Sequence, residues 1–130
     1  MKRSQAAVAL CSVTAVLIIA QPIFAQKAFL EKFKEAYPGV DAKLTKCTTC
    51  HTIEGAKDKP GKKNLNAYGK DLQSAPEAKS AMGKETKGKY SADELKAVGE
   101  AIKAIGSKDS NGNGKTNDED IKAGVNPGVK

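Results

Sequence analysis

The sequence predicts an all-α domain with long loops. Three segments repeat apolar residues at the three- and four-residue spacing of amphipathic helices. No segment alternates apolar and polar residues with a period of two, so strands are not expected. The length of 130 residues and the absence of an internal repeat favour a single domain.

Residues 1–25 have the layout of a bacterial secretory signal peptide. Lys2 and Arg3 precede an apolar run that ends at Ala20, and the segment closes on the small residue Ala25. The run has 15 residues, fewer than the ~20 that a membrane-spanning helix needs. We therefore expect cleavage after Ala25 and a periplasmic or secreted protein, with a retained N-terminal anchor as the alternative.

The chain beyond residue 25 is polar and rich in lysine. About 32% of its 105 residues are apolar, which is little for a stable core. Small domains of this kind usually depend on a disulfide, a metal or another cofactor. With 20 lysines against 15 acidic residues the net charge is +5, and arginine and tryptophan are absent, so nucleic-acid binding is not expected.

The first predicted helix covers residues from about 27 to 37. Its apolar and aromatic side chains recur at helical spacing, with lysine and glutamate between them. Pro38 and Gly39 follow directly and predict its end. The predicted buried face consists of Phe29, Leu30, Phe33, Ala36 and Tyr37.

A second helix is predicted from Leu65 to Ser74, with Asn64 as its N-cap. The preceding residues 54–63 are rich in Lys, Asp, Gly and Pro and predict a surface loop. Residues 75–89 are polar and are predicted to be irregular. The predicted buried face of the helix consists of Leu65, Tyr68 and Leu72.

Ser91 and Glu94 form a capping-box pattern that opens a third predicted helix. The helix extends to about Ile105, and Gly106 follows at its end. Its apolar stripe has the spacing of one helical face. The predicted buried residues are Leu95, Val98, Ile102 and Ile105.

Both cysteines beyond the signal peptide and the only histidine lie in one motif, Cys47-Thr48-Thr49-Cys50-His51. Cys-x-x-Cys-His is the attachment motif of c-type haem. Two thiols three positions apart on a helical turn can reach the two vinyl groups on one porphyrin edge and form thioether bonds. The neighbouring imidazole then supplies the proximal ligand of the iron.

Three other interpretations of the motif are weaker. A structural zinc site needs four Cys or His ligands, and the chain beyond the signal peptide has three. A thioredoxin-type redox pair is expected within a βαβ pattern, which the sequence does not show. A disulfide between Cys47 and Cys50 would close a very short loop.

The motif and its surroundings resemble the class I cytochrome c family, in which a small helical domain with long loops wraps around one haem. Residues 47–54 are similar to the family's attachment helix and its continuation. Asn64-Leu65 and Tyr68-Gly69 are similar to its Asn-Leu and aromatic-Gly pairs. The first and third predicted helices match its crossing terminal helices. The resemblance predicts a haem domain over residues 26–106.

The resemblance implies an electron carrier rather than an enzyme, with one covalently bound haem c. Cys47 and Cys50 would be the covalent anchors and His51 the proximal iron ligand. In the family a proline carbonyl orients the histidine, and Pro60 is the nearest proline. Met82 lies where the family places its distal methionine. A lysine ligand or an open sixth position, which would bind small gases, are the alternatives.

Residues 107–130 form a predicted tail of the same domain that contains an EF-hand-like loop. Asp109–Asp120 has oxygen-bearing side chains at positions 1, 3, 5, 9 and 12 and Gly114 at position 6. Few charges predict weak calcium affinity, ~10⁻⁴–10⁻³ M. An Asn/Gly-rich turn without an ion is the alternative. The candidate calcium ligands are Asp109, Asn111, Asn113, Lys115 through its carbonyl, Asn117 and Asp120.

Lysines cluster in two loops that a haem-wrapping fold would bring near the exposed haem edge. A positive rim there would steer an acidic redox partner or attract anionic membrane headgroups, whereas a solvated surface is the alternative. We expect a monomer. A haem-free, calcium-stabilised interaction module with a disulfide is the remaining alternative. The clusters are Lys57, Lys59, Lys62 and Lys63, and Lys84, Lys87 and Lys89.

Overall fold

The computed structural model of the protein describes residues 25–52, 64–82 and 90–130. Within these ranges the chain is all-α, as predicted, and no β-strand forms. The α-helices are α1 (Ala25–Ala36), α2 (Ala67–Ser74), α3 (Lys79–Met82), α4 (Ala92–Ala104) and α5 (Asn117–Lys122). Single 3₁₀ turns lie at Ala42–Leu44, Cys47–Thr49, Pro76–Ala78 and Ile105–Ser107.

Some predicted features lie outside the described residues. These are the signal peptide up to residue 24, the whole loop 54–63 with Pro60, and both lysine clusters. No helix in the described ranges is long and apolar enough to cross a membrane.

Helix α1 begins two residues before the predicted start and ends one residue before the predicted end. The N–H group of Tyr37 still donates to the carbonyl of Phe33 (3.0 Å). The chain then turns at Gly39, whose φ of 80° lies in the left-handed region that glycine adopts without strain. Phe33 is buried, and the ring of Phe29 packs on that of Tyr90 with centroids 4.9 Å apart.

Helix α4 agrees with its prediction and packs against α1. Its capping box is complete, because Ser91 accepts from the Glu94 N–H and the Glu94 carboxylate accepts from the Ser91 N–H. Val98, Ile102 and Ile105 are buried as expected from their spacing. This crossing of α1 and α4 contributes Phe33, Val98, Ala101 and Ile102 to the small apolar core.

Helix α2 begins at Ala67, and the predicted N-cap at Asn64 is wrong. Asn66 is the cap, and its side chain accepts from the Gly69 N–H (2.9 Å). The chain is extended before the cap because the Thr52 N–H donates to the Asn64 carbonyl (2.8 Å). A single antiparallel bridge pairs residues 51 and 65 beside this bond. The buried face is otherwise as predicted, with Tyr68 and Leu72 buried and Leu65 half-buried.

The prediction of irregular structure after α2 is wrong for residues 75–82, which form a 3₁₀ turn and the short helix α3. The physical reason lies in small residues that the sequence pattern does not single out. Ala75, Ala78 and Ala81 are buried, and their small side chains let this segment lie close to α4. The close packing holds Met82 at the end of α3.

The C-terminal segment adds a helix that the sequence did not predict. Helix α5 begins inside the EF-hand-like pattern, and Thr116 and Glu119 form a complete capping box at its start. Ile121 of this helix is buried in the common core. A polar contact also joins the segment to the end of α1, because the Tyr37 hydroxyl donates to the Asp118 carboxylate (2.7 Å).

Tyr37 and Tyr68 both pack against Phe33, but only the Tyr37 hydroxyl has a hydrogen-bond partner among the described residues. Burial, together with the Asp118 carboxylate, raises the pKa of Tyr37, so this hydroxyl stays protonated and donates. The Tyr68 hydroxyl is fully buried and has no hydrogen-bond partner among the described residues. Burial raises the pKa of Tyr68 as well. Its hydroxyl therefore bears the cost of desolvation without compensation.

Replacing each tyrosine by phenylalanine should change the free energy of unfolding in opposite directions. Tyr68→Phe should stabilise the protein by about 1 kcal/mol, because it removes a buried hydroxyl without a partner. Tyr37→Phe should destabilise it by about 1–2 kcal/mol, because it removes a hydrogen bond to a carboxylate. Urea unfolding of both variants measures this, and a loss of stability in Tyr68→Phe would contradict the assignment.

Candidate cofactor-binding site

The Cys-x-x-Cys-His motif folds as a single 3₁₀ turn, Cys47–Thr49, rather than as part of a longer helix. The N–H groups of Cys50 and His51 both approach the carbonyl of Cys47, at 3.3 and 3.0 Å. The turn therefore gathers both thiols and the imidazole within five consecutive residues. No disulfide joins Cys47 to Cys50.

Residues of the turn line one apolar cavity. The cavity contains about 560 Å³ of space free of protein atoms, and part of this space is open to solvent. Cys47, Cys50, His51 and Met82 all line it, so the structure brings together the four residues predicted to hold haem. Its apolar walls come from Phe29, Leu30, Phe33, Leu65, Leu72 and Ile102.

Helix α2 approaches the turn so closely that only glycine fits at the contact. A Cβ atom on Gly69 would lie 2.1 Å from the carbonyl oxygen of Cys50. The same carbonyl accepts from the Asn66 N–H (3.0 Å). This contact gives a physical reason for the Tyr68-Gly69 pair that the sequence showed only as a resemblance.

Polar side chains also hold the turn in place. The Thr49 side chain is buried, and its hydroxyl donates to the Leu44 carbonyl. The Asn66 amide donates to the carbonyls of Thr48 (3.1 Å) and Thr49 (2.9 Å). The Asn126 amide donates to the same Thr48 carbonyl (2.9 Å). Neither asparagine was singled out from the sequence, because both contacts join distant segments.

The thiol of Cys50 has an unusually weak tendency to ionise. Burial, with a smaller contribution from Cys47, raises the pKa of Cys50 to about 12. The thiol therefore carries its proton at neutral pH. Since the folded chain holds this proton more tightly than the unfolded chain, the associated stability is lost as the pH rises above about 9, the ordinary thiol value.

Met82 and Lys46 line the same cavity as the motif. Met82 is half-buried at the end of α3. Lys46 directly precedes the turn, is exposed and lines the cavity. The lysine clusters expected from the sequence lie elsewhere along the chain and do not include Lys46, although its position next to Cys47 is a signal that could have identified it.

The donor set in the cavity fits a c-type haem. Two thiols, one imidazole and one thioether are the groups that attach and ligate such a haem. The apolar aromatic and aliphatic walls suit a porphyrin face, and the polar groups converge at the turn. The motif and the apolar side chains thus lie at one cavity.

The EF-hand-like loop brings only part of its predicted ligand set together. The Asp109 carboxylate accepts from the N–H groups of Gly112 (2.7 Å) and Gly114 (2.8 Å). The φ of Gly114 is 86°, as the sharp turn at position 6 requires. Asn117 lies apart, since its amide donates to the Ile105 carbonyl and the Ser110 hydroxyl. The Lys115 N–H donates to the Asn113 side-chain oxygen (2.8 Å).

Amide groups face the buried carboxylate at the end of this loop. Asn111 and Asn113 both donate through Nδ2 to Asp120, at 3.0 and 2.9 Å. Their oxygens accept from backbone N–H groups of the loop. Calcium is bound by oxygen atoms, so it would have to displace these amide donors. No cluster of three His, Cys, Asp or Glu residues that could hold a metal occurs in the described ranges.

Converting both amides to carboxylates should make the loop depend on calcium. In the double variant Asn111→Asp with Asn113→Asp, both new carboxylates lie close to that of Asp120. Their mutual repulsion should lower the melting temperature in EDTA, and millimolar calcium should restore it. For the wild type, calcium at its Kd should add only about 0.4 kcal/mol. Thermal unfolding with and without calcium measures both effects.

The same titration with magnesium is the control for ionic strength. A double variant that melts at the same temperature in EDTA and in calcium would contradict the prediction. Tight calcium binding by the wild type would instead show that the amides of Asn111 and Asn113 turn their oxygens inward.

Comparison with protein-family profiles, with curated proteins and with solved structures finds no significant match to this chain. The functional interpretation therefore depends on the motif and on the geometry of the cavity.

Proposed function

We propose that the protein is an exported, monomeric, monohaem c-type cytochrome that carries single electrons. One observation supports this most: the attachment motif and a thioether lie on the wall of one apolar cavity. The combination favours haem, since a zinc site or a redox cysteine pair would not require an apolar pocket beside it.

In this function Cys47 and Cys50 would hold the haem covalently, and His51 and Met82 would be the ligands of its iron. The bound haem supplies one-electron Fe(III)/Fe(II) chemistry. The chain itself transforms no substrate. Its apolar walls would cover part of the cofactor, and hydrogen bonds from Asn66 hold the Thr48 and Thr49 carbonyls of the turn.

Covalent haem is the first expected outcome. The full chain, produced in a host that matures c-type cytochromes, should keep its haem stain after denaturing electrophoresis. Cys47→Ser with Cys50→Ser should abolish the stain, because no thioether bond can form. Thr48→Ser, in the same turn, should keep it.

A colourless wild-type band, with an intact mass that lacks porphyrin, would end the cytochrome proposal. It would favour the haem-free interaction module instead.

Two variants of Met82 test the distal ligand. Met82→Leu keeps an apolar side chain and removes only the sulfur, whereas Met82→Ala also removes the bulk. If the sulfur binds iron, both variants should lose the ferric iron–methionine absorption band and should have a lower reduction potential. If Met82 only fills space, Met82→Leu should keep the wild-type spectrum.

An unchanged spectrum in both variants, combined with carbon monoxide binding by the reduced wild type, would favour a five-coordinate haem protein that binds small gases. Peroxidase-like chemistry is the weaker form of this alternative, because the chain has no second histidine to act on the distal side.

Lys46 at the cavity supports docking to an acidic redox partner. Lys46→Glu should slow oxidation by the anionic probe hexacyanoferrate(III) about two- to threefold at low ionic strength, and the difference should vanish in 1 M salt. Lys122→Glu makes the same change on α5 outside the cavity and should have a smaller effect. Equal rates for both variants would show that net charge, and not Lys46, controls the encounter.

A further inference from the structure

Two side-chain amides converge on the backbone of the Cys47–Thr49 turn, called the attachment turn below, from outside the cavity. Asn66 donates to the carbonyls of Thr48 (3.1 Å) and Thr49 (2.9 Å). Asn126 donates to the Thr48 carbonyl from the other end of the sequence (2.9 Å). The Thr48 carbonyl thus accepts two amide donors. These carbonyls belong to the two residues between the cysteines.

The turn is short, and one of its own hydrogen bonds is long. A 3₁₀ turn has less favourable hydrogen-bond geometry than an α-helix. Here the Cys50 nitrogen lies 3.3 Å from the Cys47 carbonyl oxygen, whereas the His51 nitrogen lies at an ordinary 3.0 Å from the same atom. A single turn also has no neighbouring helical turns to hold it in place. External donors therefore add to the hydrogen bonds that hold it.

The segment that carries Asn126 is itself fixed. The Asn126 side-chain oxygen accepts from the Gly128 N–H (2.9 Å), which orients its amide nitrogen toward the turn. Pro127 is fully buried. A Cβ atom on Gly128 would lie 2.3 Å from the Asn66 side chain, so the two clamping segments touch each other.

The EF-hand-like loop sets the position of this segment. The Asn111 amide donates to the carbonyls of Val129 (3.1 Å) and Asn126 (3.5 Å) as well as to Asp120. A continuous set of hydrogen bonds therefore runs from the buried Asp120 through Asn111 to the tail. From the tail it continues through Asn126 to the attachment turn.

We propose that Asn126 is a positioning residue for the Cys-x-x-Cys-His turn, and that residues 126–129 with Asn66 form a clamp on its backbone. The clamp fixes the carbonyls of Thr48 and Thr49, and so fixes the directions in which both sulfur atoms and the imidazole point. The consequence for a haem ligand rests on the proposed function. The clamp itself depends only on contacts within the chain.

Asn126→Asp tests the clamp with the smallest change. It keeps the side-chain oxygen that accepts from Gly128 and replaces the donor to Thr48 with a repelling oxygen. In the full chain, hydrogen exchange at the amides of residues 49–51 should accelerate on the order of fivefold or more. The amide of Ile102 in α4 should keep its rate.

Gln73→Glu provides the matched control, because it makes the same amide-to-carboxylate change on the exposed side of α2. It should leave the exchange at residues 49–51 unchanged. Asn126→Ser is the second variant in case Asn126→Asp does not fold, since serine can accept from Gly128 but cannot reach Thr48. Unchanged exchange at 49–51, or acceleration that is equal at Ile102, overturns the proposal.

A second readout separates positioning from simple stability. In the haem-loaded ferric chain, the paramagnetically shifted haem methyl resonances depend on the plane of the proximal imidazole. Their spread should change in Asn126→Asp and not in Gln73→Glu, and an unchanged spread overturns the positioning role of Asn126. A colourless chain with faster exchange at residues 49–51 would retain the clamp and reject the cytochrome, so the two failures are distinguishable.

Discussion

The close approach of α2 to the attachment turn is the contact on which the arrangement of this protein depends. Gly69 allows it, because any side chain there would collide with the Cys50 carbonyl. The same approach lets the Asn66 backbone and side chain bond to the turn. It also places Leu72 on the cavity wall. An apolar cavity thus forms between the turn, α2 and the helices α1 and α4, although the chain has few large apolar residues.

The features that the sequence predicted well are those set by local interactions. Helix α4 has a capping box and an apolar stripe within its own residues, so a short stretch of sequence contains all the required information. The same holds for the end of α1 at Gly39. The grouping of Cys47, Cys50 and His51 was equally predictable, since five consecutive residues cannot separate. The structure adds that Met82 lies at the same cavity, which supports its candidacy as a ligand and leaves ligation itself a prediction.

The features that the sequence predicted poorly depend on distant contacts. Asn64 and Asn66 are both good helix caps by residue type. Residues 64 and 65 pair with residues 52 and 51, and this pairing keeps Asn64 extended. Asn66 is therefore the N-cap. The segment before Met82 becomes ordered through buried alanines, which carry little periodic signal. The clamp joins positions 48 and 126, and no local pattern indicates such a contact.

The sequence pattern of the EF-hand-like loop is compatible with two ways of closing the loop, by asparagine hydrogen bonds or around a calcium ion. The side-chain oxygens of Asn111 and Asn113 accept from backbone N–H groups, so their amide nitrogens face inward. There they donate hydrogen bonds to the buried carboxylate of Asp120. Asn111 uses the same nitrogen to hold the tail through Val129. A calcium ion would require the asparagine oxygens to point inward. Cation binding and the present tail contacts therefore compete for one amide, so any calcium bound by this loop would act on the attachment turn through the clamp.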